Sequence, residues 1–141
     1  MRSRPGSAQP TFAARARATL DGLSDGRAGV HLVIGSSDAD VRRDGGFADK
    51  DERYRRAVEC LEVFTRGLES REPFDYHGEF YRLEDAGSGF LPIQRPRPPL
   101  SGGGSSAQAQ RLAARFAVVH PGHFASPTQT AELKRRLKEE A

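Results

Sequence analysis

Five consecutive residues, Val30-His31-Leu32-Val33-Ile34, limit this chain more than any other feature. The run is short, β-branched and almost free of polar residues. A strand with one wet face alternates apolar and polar. A strand apolar throughout reads as one covered on both faces, as in a parallel sheet. Parallel neighbours cannot be joined by a tight turn, so the flanking sequence must supply crossover helices. On the N-terminal side, Phe12, Ala16, Leu20 and Leu23 recur at helical spacing within Thr11 to Leu23 and form one apolar stripe. Pro10 suits the first turn of that helix, and Ser24-Asp25-Gly26 ends it, with Gly26 able to take positive φ. On the C-terminal side, Tyr54, Val58, Leu61, Phe64 and Leu68 lie on one face of a helix from Asp49 to Leu68. Asp49 and Glu52 have capping-box spacing, and Asp51–Arg55 and Glu52–Arg56 are i,i+4 pairs in the favourable orientation. The expected fold class is therefore α/β.

Between strand and helix, Ser36 to Gly46 reads as a polar loop. Pro73 stops the long helix, and Phe74 to Leu83 reads as a hairpin with aromatic residues around His77-Gly78. Ala86 to Leu100 is rich in Gly and Pro and is expected to be extended. Ser101 to Ser106 leads into an Ala-rich helix from Ala107 to Phe116, followed by a short apolar stretch, Ala117 to Val119. Residues 127–141 read as a polar helix with Leu133 and Leu137 as its anchors. The chain divides into a main segment, residues 1–119, with an insertion at 72–99, and a tail, 120–141. Only two or three parallel strands can be counted, so sheet edges are left unpaired.

Composition excludes several classes. Leu, Ile, Val and Phe make up about a fifth of the 141 residues, near the lower limit for a packed domain, so a thin core is expected. No apolar run approaches the roughly 20 residues of a membrane helix. The N-terminus carries basic residues without an apolar secretory core. One cysteine, Cys60, excludes an intrachain disulfide, fits a cytoplasmic location and reads as a buried inert thiol. The net charge is +3, from 22 basic and 19 acidic residues. The two signs alternate, as in Arg53, Arg55 and Arg56 among Asp51, Glu52 and Glu59. Alternation describes solvated helix faces, whereas a nucleic-acid binder gathers its basic residues on one face.

Two places can carry ligand chemistry. Gly102, Gly103 and Gly104 precede a helix, so the N–H groups of Ser105, Ser106 and Ala107 can face an anion along the helix dipole. Gly102-x-Gly104-x-x-Ala107 matches a dinucleotide fingerprint in form, but it lacks the acidic residue some 20 positions on and the Lys of a P-loop. A phosphate cradle and a flexible linker both fit. Lys50 and Tyr54, at i and i+4, can reach one ligand together, or serve as a surface charge and a core aromatic. His120 and His123 lack a nearby acidic or Cys co-ligand, so no metal is expected. His31 reads as an interior or ligand-facing group and His77 as a turn residue.

Taken in order, several segments resemble one known family. They are Arg4-Pro5-Gly6, Pro10 to Arg15, Ala18 to Asp21, Leu23 to Arg27, Asp44-Gly45 with Phe47, and Asp51-Glu52-Arg53-Tyr54. Glu72 to Tyr76, Gly78, Phe80-Tyr81, Pro92-Ile93-Gln94, Pro98-Pro99-Leu100 and Gly103 to Ser106 follow. The chain resembles the bacterial luciferase-like flavin monooxygenases, and among them the two-component, FMNH2-dependent alkanesulfonate monooxygenases. The resemblance implies a partial TIM (β/α)8 barrel, about strands 4 and 5 with helices 3 to 5 and an inserted hairpin. It implies reduced FMN as cofactor, with its phosphate near Lys50, Tyr54, Gly104, Ser105 and Ser106. It also implies a flavin reductase and a small organosulfonate as partners of the intact relative, and a possible homo-oligomer. No catalytic residue is assigned within this chain. The family commonly has His where Lys50 stands, Thr where Ile34 stands, and an aromatic-Trp-Gly-Glu stretch where Val119 to Gly122 stand. With much of the barrel outside the match, the chain alone is expected to be inactive. The alternatives are a non-catalytic flavin- or phosphate-binding remnant and a basic interaction protein.

Overall fold

The computed structural model describes residues 2–3, 5–34, 37–43, 45–87, 89–103, 106–116, 118–119 and 135. The elements are β1 (Arg2–Ser3), α1 (Pro10–Leu23), β2 (Val30–Leu32), α2 (Asp38–Arg43), α3 (Lys50–Glu69), β3 (Phe74–His77), β4 (Arg82–Ala86), β5 (Leu100–Gly102), α4 (Ala107–Phe116) and β6 (Val118–Val119). Four strands form a parallel sheet in the order β1-β2-β5-β6, and β3 and β4 form a separate antiparallel hairpin. The main sheet thus has two strands more than the sequence reading placed in the barrel, β1 and β6, each two residues long.

α1, α3 and α4 cover one face of the sheet. Val30, Leu32 and Leu100 from the strands join Ala14, Ala18, Ala57, Leu61, Phe64, Leu68 and Leu112 from the helices in one core. His31 and Val33, on the other face, are only partly buried, while Ile34 packs against the helix-covered core, so the expected burial of this strand on both faces is half fulfilled. The inner face of the sheet has no second layer among the described residues.

α3 forms as its spacing predicts. The Asp49 carboxylate accepts from the Glu52 N–H at 2.8 Å, and Leu61, Phe64 and Leu68 are buried. Arg56 reaches Glu52 at 3.6 Å, whereas Arg55 turns from Asp51 to Glu79, at 3.3 Å. α1 presents the opposite face from the one its apolar stripe predicts. Ala14, Arg17, Ala18 and Asp21 are buried, while Phe12 is 61% and Leu23 82% exposed. The reason is steric: a Cβ on Gly67 of α3 would lie 3.1 Å from the Ala14 Cβ. Small residues on both helices allow that approach, and the larger side chains have to face outward.

The 36–46 segment, expected as a loop, contains α2. That helix is held by a tertiary pair, Arg53 to Asp38 at 2.9 Å. The hairpin forms, but its loop is Gly78 to Tyr81 rather than a turn at His77-Gly78. Its tip is fastened to α3 through Glu59, whose carboxylate accepts the N–H groups of Glu79, Phe80 and Tyr81 at 2.7, 2.9 and 3.2 Å. The tail helix and His120 and His123 lie outside the described residues.

The irregular 87–99 segment is anchored by a buried acid. Asp21 is 0% exposed. Its Oδ2 accepts from the Gln94 backbone N–H at 2.8 Å and its Oδ1 from Gln94 Nε2 at 2.6 Å. Gln94 Nε2 also donates to the Ala28 carbonyl at 2.7 Å. Burial alone would raise the Asp21 pKa, but these hydrogen bonds outweigh it and hold the carboxyl below its ordinary value.

Candidate functional site

Residue parity decides what the inner face of the sheet carries. Val30, Leu32 and Leu100 point into the helix-covered core, so His31 and Ser101, one step out of phase, point the other way. The register sets these two opposite each other, and His31 Nδ1 lies 3.0 Å from Ser101 Oγ. Ser101 Oγ also donates to the Val30 carbonyl at 3.4 Å. That orientation makes the hydroxyl oxygen an acceptor for an Nδ1 proton. His31 Nε2 then sits beside Gly103, 3.5 Å from where a Cβ would stand.

Just beyond β5 the chain enters α4, capped by Ser106, whose Oγ accepts from the Ala109 N–H at 3.2 Å. Tyr54 OH, from the second turn of α3, lies 3.1 Å from the same Oγ. Gln108 Nε2 donates to Asp51 Oδ1 at 2.7 Å. The first turns of α3 and α4 are thus lashed together beside the strand end. Tyr54 and Ser106 have two hydroxyl protons between them. Their mutual bond uses one, whichever group donates, and the other can serve an acceptor outside the pair.

The two helix N-termini differ in charge. α3 has the Asp49 cap and Asp51 and Glu52 in its first turn, which neutralise its positive end. α4 has no acidic residue in its first turn. The Asp51 carboxylate reaches this turn through Gln108, so an anion at α4 would be held by the Tyr54–Ser106 hydroxyls and the leading amides against that charge. A phosphate dianion suits this donor set.

Of the five sequence-derived site residues, the structure brings Tyr54 and Ser106 together. Lys50 is exposed at the first position of α3, one turn before Tyr54 and on the same helix face. Gly104 and Ser105 lie outside the described residues. Sequence reasoning missed the Ser101 partner of His31 and the Asp51–Gln108 tie; strand parity was the available signal for Ser101, and none existed for the tie. A cleft of about 480 Å3 lies elsewhere, between residues 6–9, Arg56 and the hairpin tip. Among the described residues, no group of three or more His, Cys, Asp or Glu gathers as a metal site. No helix there is long and apolar enough to cross a membrane.

The family model for luciferase-like monooxygenases matches residues 3–141. The chain belongs to this family. Solved structures share the fold. A riboflavin lyase, in complex with modified FMN and its substrate riboflavin, matches with a TM-score of 0.83 at 24% identity, over 99% of this chain and 36% of that one. EDTA monooxygenase from Chelativorans sp. BNC1 matches with a TM-score of 0.78 at 25% identity, over 99% and 38%. Coenzyme F420-dependent tetrahydromethanopterin reductase from Methanopyrus kandleri matches with a TM-score of 0.79 at 22% identity, over 99% and 44%. The luciferase-like chain therefore spans less than half the length of these structures. Its fold is a partial luciferase-like barrel.

Proposed function

We propose that the chain is a segment of an FMN-dependent monooxygenase and holds the phosphate end of the flavin at the Tyr54–Ser106 pair. One observation carries this reading: two hydroxyls 3.1 Å apart at a helix N-terminus with no acidic first turn. Tyr54, Ser106 and the leading amides of α4 would bind and orient the phosphate, with Lys50 adding charge from the same helix face; Gly104 and Ser105, outside the described residues, complete the set the resemblance implies. His31 and Ser101 would border the ring side of the site. Reduced FMN, when bound, supplies the reactivity toward O2 that inserts oxygen into the substrate.

The sequence resemblance supports an organosulfonate as the substrate of the intact enzyme and a flavin reductase as the source of reduced FMN, both in the cytoplasm. This chain alone should not turn over, because among the described residues nothing covers its inner sheet face and catalysis of this kind needs water excluded. Charge-assisted contacts to a phosphate, each net about 1.5–3 kcal/mol, give weak binding without a closed pocket around the ring.

The test is titration of FMN and of riboflavin, followed by flavin fluorescence. FMN should give a saturable change that riboflavin, lacking the phosphate, does not, and Tyr54→Phe should weaken it. No saturable FMN signal at high micromolar protein would refute the reading. Sulfite release from an organosulfonate by the chain with a flavin reductase would refute its inactivity.

A further inference from the structure

We infer that Asp51 is a positioning residue for the phosphate site: through Gln108 it holds the start of α4 in register with α3, by its hydrogen bond and against its charge. The inference rests on the phosphate reading given above. Gln108 Nε2 donates to Asp51 Oδ1 at 2.7 Å. Further along, Arg115 of α4 donates to Glu62 of α3. The two helices are thus tied at two levels, with both ties running between the same pair of facing lines.

Helix geometry makes those ties a register device. At 100° per residue, Asp51 and Glu62 are about three turns apart on α3 and within about 20° of each other around its axis. Gln108 and Arg115 are about two turns apart on α4 and equally well aligned. Leu61 of α3 and Leu112 of α4 share the core, but apolar burial is non-directional. The two ties are what stop α4 from rolling or sliding along α3. Ser106 caps α4 just before Gln108, and Tyr54 follows Asp51 by about one turn of α3. The register at Asp51–Gln108 therefore sets the 3.1 Å between Tyr54 OH and Ser106 Oγ.

The same carboxylate opposes the ligand it helps to place. α4 has no acidic residue of its own in its first turn, and the tie brings the charge of Asp51 to it. An asparagine at this position accepts the same hydrogen bond without the charge. A carboxylate makes the shorter and stronger bond. Asp51 therefore gives a firmer strap and a more weakly held phosphate than an uncharged acceptor would. Its two effects have opposite signs, and substitution separates them.

The test compares the full chain with Asp51→Asn, Asp51→Ala and Gln108→Ala. Asp51 is exposed and Gln108 partly so, and all three variants should match the parent in far-ultraviolet circular dichroism. FMN is titrated into each and followed by flavin fluorescence. Asp51→Asn and Asp51→Ala both remove the charge, so the ratio of their dissociation constants reads the strap alone. Asp51→Asn should bind at least about threefold more tightly than Asp51→Ala, and more tightly than the parent. Gln108→Ala keeps the charge and loses the strap; it should bind about three- to tenfold more weakly than the parent, the size of one net hydrogen bond. A parent with no saturable FMN signal overturns the phosphate reading and this inference with it. A parent that binds, with Asp51→Asn and Asp51→Ala equal or Gln108→Ala unchanged, overturns this inference alone. Hydrogen exchange without flavin reads the strap directly. The Ala109 amide, which donates to Ser106 Oγ at 3.2 Å, should exchange at least about threefold faster in Asp51→Ala and Gln108→Ala and within about twofold of the parent in Asp51→Asn. Gln108→Ala raises intrinsic helix propensity, so faster exchange there runs against the local preference and reports the lost tie. Equal exchange at Ala109 in all four chains overturns the strap.

Discussion

Asp21→Asn is a near-isosteric change at a group that is 0% exposed, and the structure says why it should not be neutral. Both carboxylate oxygens accept from N–H donors of Gln94, at 2.8 and 2.6 Å. An asparagine has one oxygen and one NH2, so in either orientation the NH2 faces another donor. Flipping the Gln94 side chain does not help, because its Nε2 also serves the Ala28 carbonyl at 2.7 Å and the flip would set two oxygens against each other. One charge-assisted hydrogen bond is lost and one buried donor is left unpaired, about 2–3 kcal/mol together. For a domain of this size that corresponds to a fall in Tm of about 6–12 °C at pH 7. The gap depends on pH in a defined direction. The Asp21 pKa is lowered by folding, so its stabilisation is complete above the unfolded value near 3.9 and is lost as pH falls through the folded value. The Tm difference between parent and variant should therefore shrink below about pH 4. Calorimetry or thermal circular dichroism at pH 7, 5 and 3.5 measures it. A variant within 2 °C of the parent at pH 7, or a gap that widens in acid, would refute the reasoning.

Glu59→Gln should release the hairpin tip, because three amides converge on that carboxylate; loss of about 2 kcal/mol is expected. Hydrogen exchange at residues 79–81 should quicken while exchange at Leu61 and Leu68 stays slow, and equal exchange at the tip in parent and variant would refute the anchor. Of the three tyrosines, Tyr81 is pushed up to about 12, first by burial and then by its contact with Cys60. Tyr76 is raised by burial and by donating to Glu62 at 2.6 Å. Stability from these phenols is intact below the unfolded value near 10 and is lost as pH rises through the folded values. Phenolate absorbance at pH 11 should therefore report neither of these two while the fold survives, and full ionisation of both near pH 10 would contradict their burial. The Cys60 thiol, raised by burial, should react with a disulfide reagent at least about a hundredfold more slowly than a free thiol; fast labelling of the folded chain would place it at the surface.

The parts legible in the sequence are those whose signals are local. α3 has a cap, an apolar face and a stop within its own residues, and it forms where expected. β2 is marked by its apolar run, whereas β5, Leu100-Ser101-Gly102, follows only from the family resemblance. Tyr54 and Ser106 meet because each sits near the start of a well-marked helix, and helices in a parallel sheet start on the same side. What was not legible depends on partners distant in the chain. β1 and β6 are two residues long and exist by pairing with β2 and β5. α2 is six residues held through Asp38 by Arg53. The facing of α1 runs against its apolar stripe, because close contact with Gly67 selects small residues for the buried side. The buried Asp21 has no local signal, since its partner is 73 residues away.

The pinning of the hairpin tip to the middle of α3 has a consequence for how this excursion can change. Its far end is not free to swing, so the turn and the helix face beneath it drift only together. A substitution at Gly78, which lies against Glu59, would push on the same carboxylate that gathers the tip. Among the described residues, the outward faces of Arg82–Ala86 have no hydrogen bond to the helix, and variation there should leave the position of the barrel strands untouched. The excursion is thus a bracket bolted at its tip through Glu59 and along one arm through Tyr76 and Glu62, while the other arm can be redecorated without resetting the frame that carries it.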